Sequence, residues 1–159
     1  MTTLHDFTLK AIDGNAMPLA DYRGKAVLVV NVASKCGFTP QYAGLQALYD
    51  ARRADGLVVL GVPANEFGRQ EPGSDEEIRT FCETRFHVTF PMASKIAVKG
   101  DGQHPLYAWL TASAQPSGDV AWNFEKFLIG RDGAVVGRFS SRVAPDAPEL
   151  RAAIDRALG

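Results

Sequence analysis

Cys36 is the residue of this sequence best placed for chemistry, because it lies between a predicted strand and a predicted helix. The apolar run 26–30 precedes it, and Thr39 followed by Pro40 is typical of a helix start. Unpaired backbone N–H groups at a helix N-terminus favour an anion, and the thiolate is the nucleophilic form of cysteine. The alternative is a small buried hydrophobic residue, the commonest fate of a free cysteine. The position alone leaves both interpretations open.

The residues around Cys36 narrow the chemistry that its thiolate could perform. Thr39 occupies the position where a Cys-x-x-Cys motif has its second cysteine, which argues against a general disulfide oxidoreductase. A lone thiolate suits attack on a peroxide O–O bond, which converts the cysteine to a sulfenic acid. That reaction needs hydrogen-bond donors around the sulfur that stabilise the thiolate and then the departing oxygen.

Three side chains elsewhere in the sequence could supply such donors. Gln70 follows the second buried strand, and Trp122 and Asn123 precede a later hairpin. Amide and indole N–H groups are donors, and open α/β sheets place their sites at strand ends. Each residue also has a structural interpretation: a polar loop residue for Gln70, a core aromatic for Trp122 and a turn residue for Asn123. The residues alone leave these alternatives open.

Composition and charge limit the class of protein. The chain has 159 residues, of which 46% are hydrophobic and 22% are charged, which is typical of one globular domain covering residues 1–159. The net charge is −1 and there is no basic block, so nucleic acid and an anionic membrane are poor partners. No apolar run approaches the length of a membrane-spanning helix.

The cysteines and histidines indicate neither a disulfide scaffold nor a metal centre. Cys36 and Cys82 are too few for a disulfide framework, and the N-terminus lacks the apolar stretch of a signal peptide. We therefore expect a reducing, cytoplasmic compartment, in which a disulfide is transient and either catalytic or redox-sensing. His5, His87 and His104 lie far apart without ligand spacing, so no metal or other cofactor is predicted.

Hydrophobic patterns and turn residues predict an α/β protein. The predicted strands cover residues 7–12, 16–19, 26–32, 57–63, 124–129 and 134–139. The predicted helices begin at Thr39–Pro40, Ser74, His104–Pro105 and Pro148. This order predicts a thioredoxin-like fold, with a central mixed sheet flanked by helices on both faces and an N-terminal β-hairpin.

Four blocks, in this order along the chain, resemble the signature blocks of the glutathione peroxidase family. They are Asn31–Thr39, Phe67–Gly73, Val88–Met92 and Trp122–Leu128. The resemblance extends from about Phe7 to the C-terminal helix. It implies a peroxidase with a catalytic tetrad, in its cysteine form, made of Cys36, Gln70, Trp122 and Asn123.

The resemblance also implies a branch of the family. Tetrameric animal members carry an insertion before the Trp-Asn motif, whereas residues 112–121 form a short connection here. The chain is therefore similar to the short members, which are usually monomers and tend to use thioredoxin as the reductant. Glutathione stays the alternative reductant.

Cys82 matches a site at which many of these relatives carry a resolving cysteine, in the helix after the Gln motif. Some relatives place that cysteine one residue later, where this chain has Glu83. Ala64 stands where many relatives have a third cysteine, which leaves Cys82 as the only partner for Cys36. The alternative is a buried core thiol, because Cys82 lies on the apolar face of its helix. A disulfide between the two cysteines requires that helix to unwind locally.

These observations predict a thiol peroxidase. Cys36 reduces hydrogen peroxide or an organic hydroperoxide and becomes a sulfenic acid, while Gln70 and the Trp122–Asn123 pair hold the thiolate and the leaving oxygen. Cys82 then condenses with the sulfenic acid, and thioredoxin or glutathione reduces the resulting disulfide. A redox sensor that passes oxidation to a partner protein would use the same cysteines, and the sequence does not exclude it.

Overall fold

Six strands and four α-helices form the regular structure of residues 1–159, all of which the computed structural model describes. The strands are Thr8–Lys10 (β1), Ala16–Pro18 (β2), Ala26–Val32 (β3), Leu57–Pro63 (β4), Lys126–Ile129 (β5) and Val135–Phe139 (β6). The helices are Gln41–Arg52 (α1), Asp75–Phe86 (α2), Pro105–Ser113 (α3) and Pro148–Leu158 (α4). None of these helices has the length and apolar character needed to span a lipid bilayer.

The central sheet has the strand order β4-β3-β5-β6 and is mixed. β3 and β4 are parallel, whereas β5 pairs antiparallel with both β3 and β6. Every residue of β3 and β4 is buried, as expected of parallel strands covered on both faces. A separate hairpin of β1 and β2 precedes the sheet. The mixed sheet and the N-terminal hairpin confirm the predicted architecture.

Alternate residues of β3 point to two apolar layers, because side chains of a strand alternate between the faces of its sheet. Val27 and Val29 join the layer that contains α3, whereas Leu28 and Val30 join the layer covered by α1 and α4. Cys36 and Cys82 both belong to this second layer. Helices therefore flank the sheet on both faces, as predicted.

Three of the four predicted helix starts are confirmed. Each of the three has a local signal that the structure shows in use. Ser74 caps α2 in a capping box with Glu77. The His104 side chain accepts a hydrogen bond from the Leu106 N–H at 3.0 Å and caps α3, and α4 begins at Pro148.

The predicted start of α1 is wrong in its detail. The helix begins at Gln41, and the Thr39 side chain does not cap it. Instead, the Thr39 hydroxyl accepts a hydrogen bond from the Cys36 N–H at 2.9 Å and donates one to the Ala33 carbonyl at 2.8 Å. The Thr39 hydroxyl is thus used in the turn that precedes α1. Cys36 lies in this tight turn and not in the first turn of the helix.

The predicted strand 124–129 is also shorter than expected. It starts at Lys126, because Phe124 has a positive φ of 65° that no regular strand accommodates. The residues before Lys126 therefore leave the sheet as a separate turn.

Candidate active site

The strand directions bring three distant segments to one edge of the sheet. β3 and β4 are parallel and therefore end at the same edge, where the Cys36 turn and the Gln70 loop follow them. β5 runs in the opposite direction, so the residues that precede it lie at that edge as well. Trp122 and Asn123 are among these residues, as the sequence predicts.

The Cys36 side chain sits in the turn after β3, with about 9% of the residue exposed. Its sulfur accepts a hydrogen bond from the Phe38 N–H at 3.3 Å. A backbone donor aimed at the sulfur stabilises negative charge there, which suits a nucleophilic thiolate.

Gln70 is joined to the Cys36 turn through the backbone. The Lys35 N–H donates to the Gln70 carbonyl at 3.0 Å. The side-chain oxygen of Gln70 accepts a hydrogen bond from the Asn123 amide at 2.9 Å. The amide N–H groups of Gln70 are left without a protein acceptor. These N–H groups are available to a ligand or to a reacting oxygen.

Asn123 is fully buried and orients Gln70. Its side-chain nitrogen donates to the Gln70 side-chain oxygen at 2.9 Å and to the Phe67 carbonyl at 3.3 Å. Both of its amide N–H groups are thus used by protein acceptors. In this arrangement Asn123 acts on the site by fixing which end of the Gln70 amide faces the site.

Trp122 lies at the surface of the same group, with 37% of the residue exposed. Its ring packs against Phe67 at a centroid distance of 5.8 Å. The Asn31 side chain at the end of β3 donates to the Trp122 carbonyl at 3.0 Å, which ties the tryptophan to the strand that leads to Cys36. No protein acceptor engages the indole N–H.

Gly68 allows the glutamine amide and the tryptophan ring to approach one another. A Cβ at this position would lie 3.2 Å from the Trp122 ring and 3.4 Å from the Gln70 amide nitrogen. The glycine also has a φ of 69°, in the left-handed region that side chains disfavour. A side chain here would strain the backbone and crowd both neighbours.

Two non-glycine residues with positive φ flank the site residues. Arg69, before Gln70, has a φ of 53°, and Phe124, after Asn123, has a φ of 65°. Such a conformation costs about 1–2 kcal/mol for a residue with a side chain, and it is found where the surrounding structure imposes it, often at functional sites. The Phe124 N–H donates to the Asn31 carbonyl at 2.6 Å, which helps to hold this turn.

The structure therefore brings Gln70, Trp122 and Asn123 together and joins them to the Cys36 turn. The Cys36 sulfur accepts no hydrogen bond from any of these three side chains. Their role as donors to the thiolate and to the leaving oxygen stays a prediction.

Sequence reasoning missed a buried ion pair that supports the tryptophan. Arg138 on β6 pairs with Glu125, and it donates to three carbonyl groups within residues 116–119 at 2.8–2.9 Å. The other Glu125 oxygen accepts from the Ala121 N–H at 2.9 Å. These bonds hold the connection that leads into Trp122. The signal in the sequence is one acid, Glu125, on the first strand of the predicted hairpin and one arginine, Arg138, on the second.

Lys126 is a second buried charge beside the site. Its ammonium group donates to the Gln41 side-chain oxygen at 2.7 Å and to the Phe124 carbonyl at 2.8 Å. Burial lowers the pKa of Lys126 to about 8, although the Glu125 carboxylate acts in the opposite direction. The lysine thus helps to hold the turn that follows Asn123.

Cys82 lies on the buried face of α2, with 2% of the residue exposed. The Tyr42 hydroxyl faces its thiol, and burial raises the pKa of the Cys82 thiol to about 11. The thiol is therefore protonated and unreactive in the closed helix. Ile78 and Cys82 are the buried residues of α2, and Phe81 and Phe86 pack against the same layer while partly buried.

No group of three or more His, Cys, Asp or Glu side chains lies close enough together to hold a metal ion. Cys36 and Cys82 are both free thiols.

Comparisons with known proteins point to one family. The glutathione peroxidase family profile matches residues 4–111, which include Cys36, Gln70 and Cys82. The hydroperoxy fatty acid reductase gpx1 of Synechocystis sp. is 48% identical over an alignment of 164 positions, which covers 98% of this chain and 96% of that protein. The thioredoxin/glutathione peroxidase BtuE of Escherichia coli is 47% identical over 94% of both chains.

A solved structure supports the same fold. The crystal structure of T. cruzi GPX1 matches with a TM-score of 0.80 and 32% sequence identity, and the match covers 99% of this chain and 97% of that chain. These comparisons extend beyond the family profile to the segment that carries Trp122 and Asn123.

Proposed function

The chain belongs to the glutathione peroxidase family, and from this we infer that it is a thiol peroxidase, which reduces hydroperoxides with electrons from a thiol. We propose that Cys36 is the peroxidatic residue. The observation that carries this proposal is the hydrogen-bonded Gln70–Asn123 pair beside Trp122, at the strand end from which the Cys36 turn departs.

In the first step, the Cys36 thiolate attacks one oxygen of the hydroperoxide. An S–O bond forms and the O–O bond breaks, so that the sulfur becomes a sulfenic acid and the other oxygen leaves as water or an alcohol after it takes up a proton. The free N–H groups of Gln70 and Trp122 are suited to stabilise the leaving oxygen, and Asn123 supports this by fixing the Gln70 amide.

In the second step, the Cys82 thiol condenses with the Cys36 sulfenic acid. The S–S bond forms as the S–O bond breaks, and water leaves. α2 must open first, because the Cys82 thiol is buried and protonated within the helix. Only two residues of α2, Ile78 and Cys82, are buried, which supports such an opening.

We propose thioredoxin as the reductant of the Cys36–Cys82 disulfide, and a monomer as the working form in a reducing, cytoplasmic compartment. The relative from Escherichia coli is named for both thioredoxin and glutathione, so its name leaves both reductants open. A monomer is supported by the short connection between α3 and Trp122 and by the small number of large exposed apolar residues, which are Met1, Trp122 and Val136.

A redox sensor that relays oxidation to a partner protein is not favoured. The relatives are named as reductases and peroxidases, which are enzymes that consume their substrate.

The test of this function is steady-state reduction of hydrogen peroxide with either thioredoxin or glutathione as the only reductant. We expect turnover with thioredoxin and its loss in Cys36→Ser, because a serine hydroxyl is not ionised near neutral pH. Wild-type turnover in Cys36→Ser would refute the role of Cys36, and faster turnover with glutathione would refute the choice of reductant.

Cys82→Ser tests the second step separately. We expect normal oxidation of Cys36 by one equivalent of peroxide but no cycling with thioredoxin, because no intramolecular disulfide can form. Mass spectrometry of the oxidised wild-type protein should find the Cys36–Cys82 disulfide. A persistent sulfenic acid in the wild type, together with undiminished cycling in Cys82→Ser, would leave Cys82 as a core residue.

A further inference from the structure

Glu71 is a buried carboxylate with one unused oxygen. The residue is fully buried, and one carboxylate oxygen accepts a hydrogen bond from the Ser34 N–H at 3.0 Å. The other oxygen is also buried and has no hydrogen-bond partner. Buried polar atoms are nearly always paired, because an unpaired one costs about 1–3 kcal/mol, so an exception calls for an explanation.

Glu71 is attached to the segment that carries Cys36 and not to α2. Besides the bond from Ser34, the neighbouring Gln70 carbonyl accepts from the Lys35 N–H at 3.0 Å. The Glu71 N–H itself donates to the Asn65 side chain at 3.0 Å, within its own loop. Glu71 therefore stays beside the Cys36 turn when α2 opens.

The Glu71 carboxylate lies between the segment that carries Cys36 and helix α2, which carries Cys82. It lines a pocket of about 410 Å³ whose walls come from Ser34 on one side and from Ile78 on α2 on the other. Its charge reaches the Cys82 thiol and the Tyr42 hydroxyl, and it raises the pKa of both groups after the larger effect of burial. Tyr42 in turn faces the Cys82 thiol from α1.

Lys95, whose charge acts on Glu71, makes no ion pair with its side chain. Lys95, in the segment after α2, donates to two backbone carbonyls, that of Glu71 at 3.1 Å and that of Gly73 at 2.6 Å. Burial raises the pKa of Glu71, with the Ser34 residue beside it and the Lys95 charge acting against burial. A raised carboxyl pKa makes Glu71 a better proton acceptor near neutral pH.

The other charged groups around the pocket have partners or lie at its rim. Lys35 and Glu77 line the pocket, and the Glu77 carboxylate is used in the capping box of α2. On α2, Glu83 follows Cys82 but is exposed and paired with Arg79 at 3.2 Å. Glu71 is thus the one buried carboxylate in the pocket with a free oxygen.

We propose that Glu71 is the proton acceptor for the Cys82 thiol in the step that forms the Cys36–Cys82 disulfide, an inference that rests on the function proposed above. The carboxylate takes the thiol proton, and the Cys82 sulfur attacks the Cys36 sulfur. The S–S bond forms as the S–O bond breaks. The hydroxide that leaves takes the proton from Glu71 and departs as water, which restores the carboxylate.

Glu71→Gln tests this role, because the amide oxygen keeps the acceptor for the Ser34 N–H but cannot take up a proton. Both rate constants are read in one single-turnover trace, in which rapid quenching and mass spectrometry count the sulfenic acid and the disulfide after one equivalent of peroxide. We expect disulfide formation to slow by at least about 100-fold relative to Cys36 oxidation, which is the low end of general-base effects. Glu83→Gln, the matched control beside Cys82, should change that ratio by less than about twofold.

The pH profile separates a chemical role from a structural one. In the wild type, disulfide formation should vary little between about pH 7 and pH 9, because an internal carboxylate accepts the proton. In Glu71→Gln it should rise about tenfold per pH unit over that range, since hydroxide must then supply the thiolate. If the variant does not fold, the wild-type profile alone decides, because a tenfold rise per unit there overturns the proposal.

The outcomes also separate this inference from the proposed function. A Cys36–Cys82 disulfide that forms at the same relative rate in Glu71→Gln overturns the role of Glu71 and leaves the peroxidase cycle intact. A wild-type protein that forms no such disulfide overturns the resolving role of Cys82 and this proposal with it.

Discussion

Replacement of Asn123 tests whether the orientation of the Gln70 amide controls the peroxide reaction. Asn123→Ala removes the donor that holds the Gln70 side-chain oxygen at 2.9 Å, so the glutamine amide is free to rotate. Asn123→Asp keeps the size of the side chain but replaces its donor with an acceptor. The Gln70 N–H groups should then turn toward the aspartate, and the Gln70 oxygen should face the site.

The magnitude follows from the two hydrogen bonds of Asn123. Their loss in Asn123→Ala, including the unpaired carbonyl of Phe67, should lower the free energy of unfolding by about 1–3 kcal/mol. The loss of one positioned donor in the site should slow Cys36 oxidation on the order of 10²-fold. Cys36 oxidation should be slower in Asn123→Asp than in Asn123→Ala, because the Gln70 oxygen, an acceptor, then faces the developing negative charge.

The assay is stopped-flow fluorescence of the reduced protein mixed with excess hydrogen peroxide and no reductant, with urea unfolding measured in parallel. The two tryptophans are Trp109 and Trp122, and Trp122 lies in the site. The reasoning is refuted if both variants oxidise Cys36 at the wild-type rate while their unfolding free energy falls as expected. In that case the Gln70–Asn123 bond stabilises the fold and does not contribute to the reaction.

Three further predictions concern residues around the site. Trp122→Phe keeps the ring against Phe67 but removes the indole N–H, so Cys36 oxidation should slow on the order of 10²-fold while the free energy of unfolding in urea stays unchanged. Arg138→Leu leaves Glu125 buried without a partner and should lower the free energy of unfolding by about 3–5 kcal/mol, whereas the double variant with Glu125→Leu should recover much of this loss by calorimetry. Because the pKa of Lys126 is lowered from 10.5 to about 8, the unfolded chain binds more protons than the folded chain between these values, and stability should rise with pH. Between about pH 8 and pH 10.5, the free energy of unfolding of the wild type in urea should rise by up to about 3 kcal/mol relative to that of Lys126→Met.

The features that could be predicted from the sequence are those with local signals. The start of α2 depends on residues three positions apart, Ser74 and Glu77, and the apolar run of β3 identifies a strand covered on both faces. Thr39 carries an equally plausible local signal, but its hydroxyl bonds to Cys36 and Ala33 instead of capping the helix. A local signal fails when a competing partner in the preceding turn takes the same atom.

The pairs that organise the site could not be predicted from local patterns. Gln70 and Asn123 are 53 residues apart, and only the parallel and antiparallel pairing of β3 with its neighbours brings them together. No local pattern around Glu71 indicates burial, yet the fold buries it completely. Both cases depend on tertiary packing, which overrides the preference of an isolated residue.

The apolar face of α2 has a thermodynamic consequence for the proposed cycle. Opening this helix uncovers Ile78 and Cys82 and separates Phe81 and Phe86 from the Tyr42 ring, whose centroid lies 6.4 and 5.3 Å from theirs. Exposure of apolar surface raises the heat capacity by about 0.45 cal/mol/K per Å². The enthalpy of opening α2 therefore increases with temperature. Oxidation of Cys36 takes place in a site that is already formed and lacks this dependence. The rate of disulfide formation should therefore give a curved Arrhenius plot, whereas the rate of Cys36 oxidation should give a straight one.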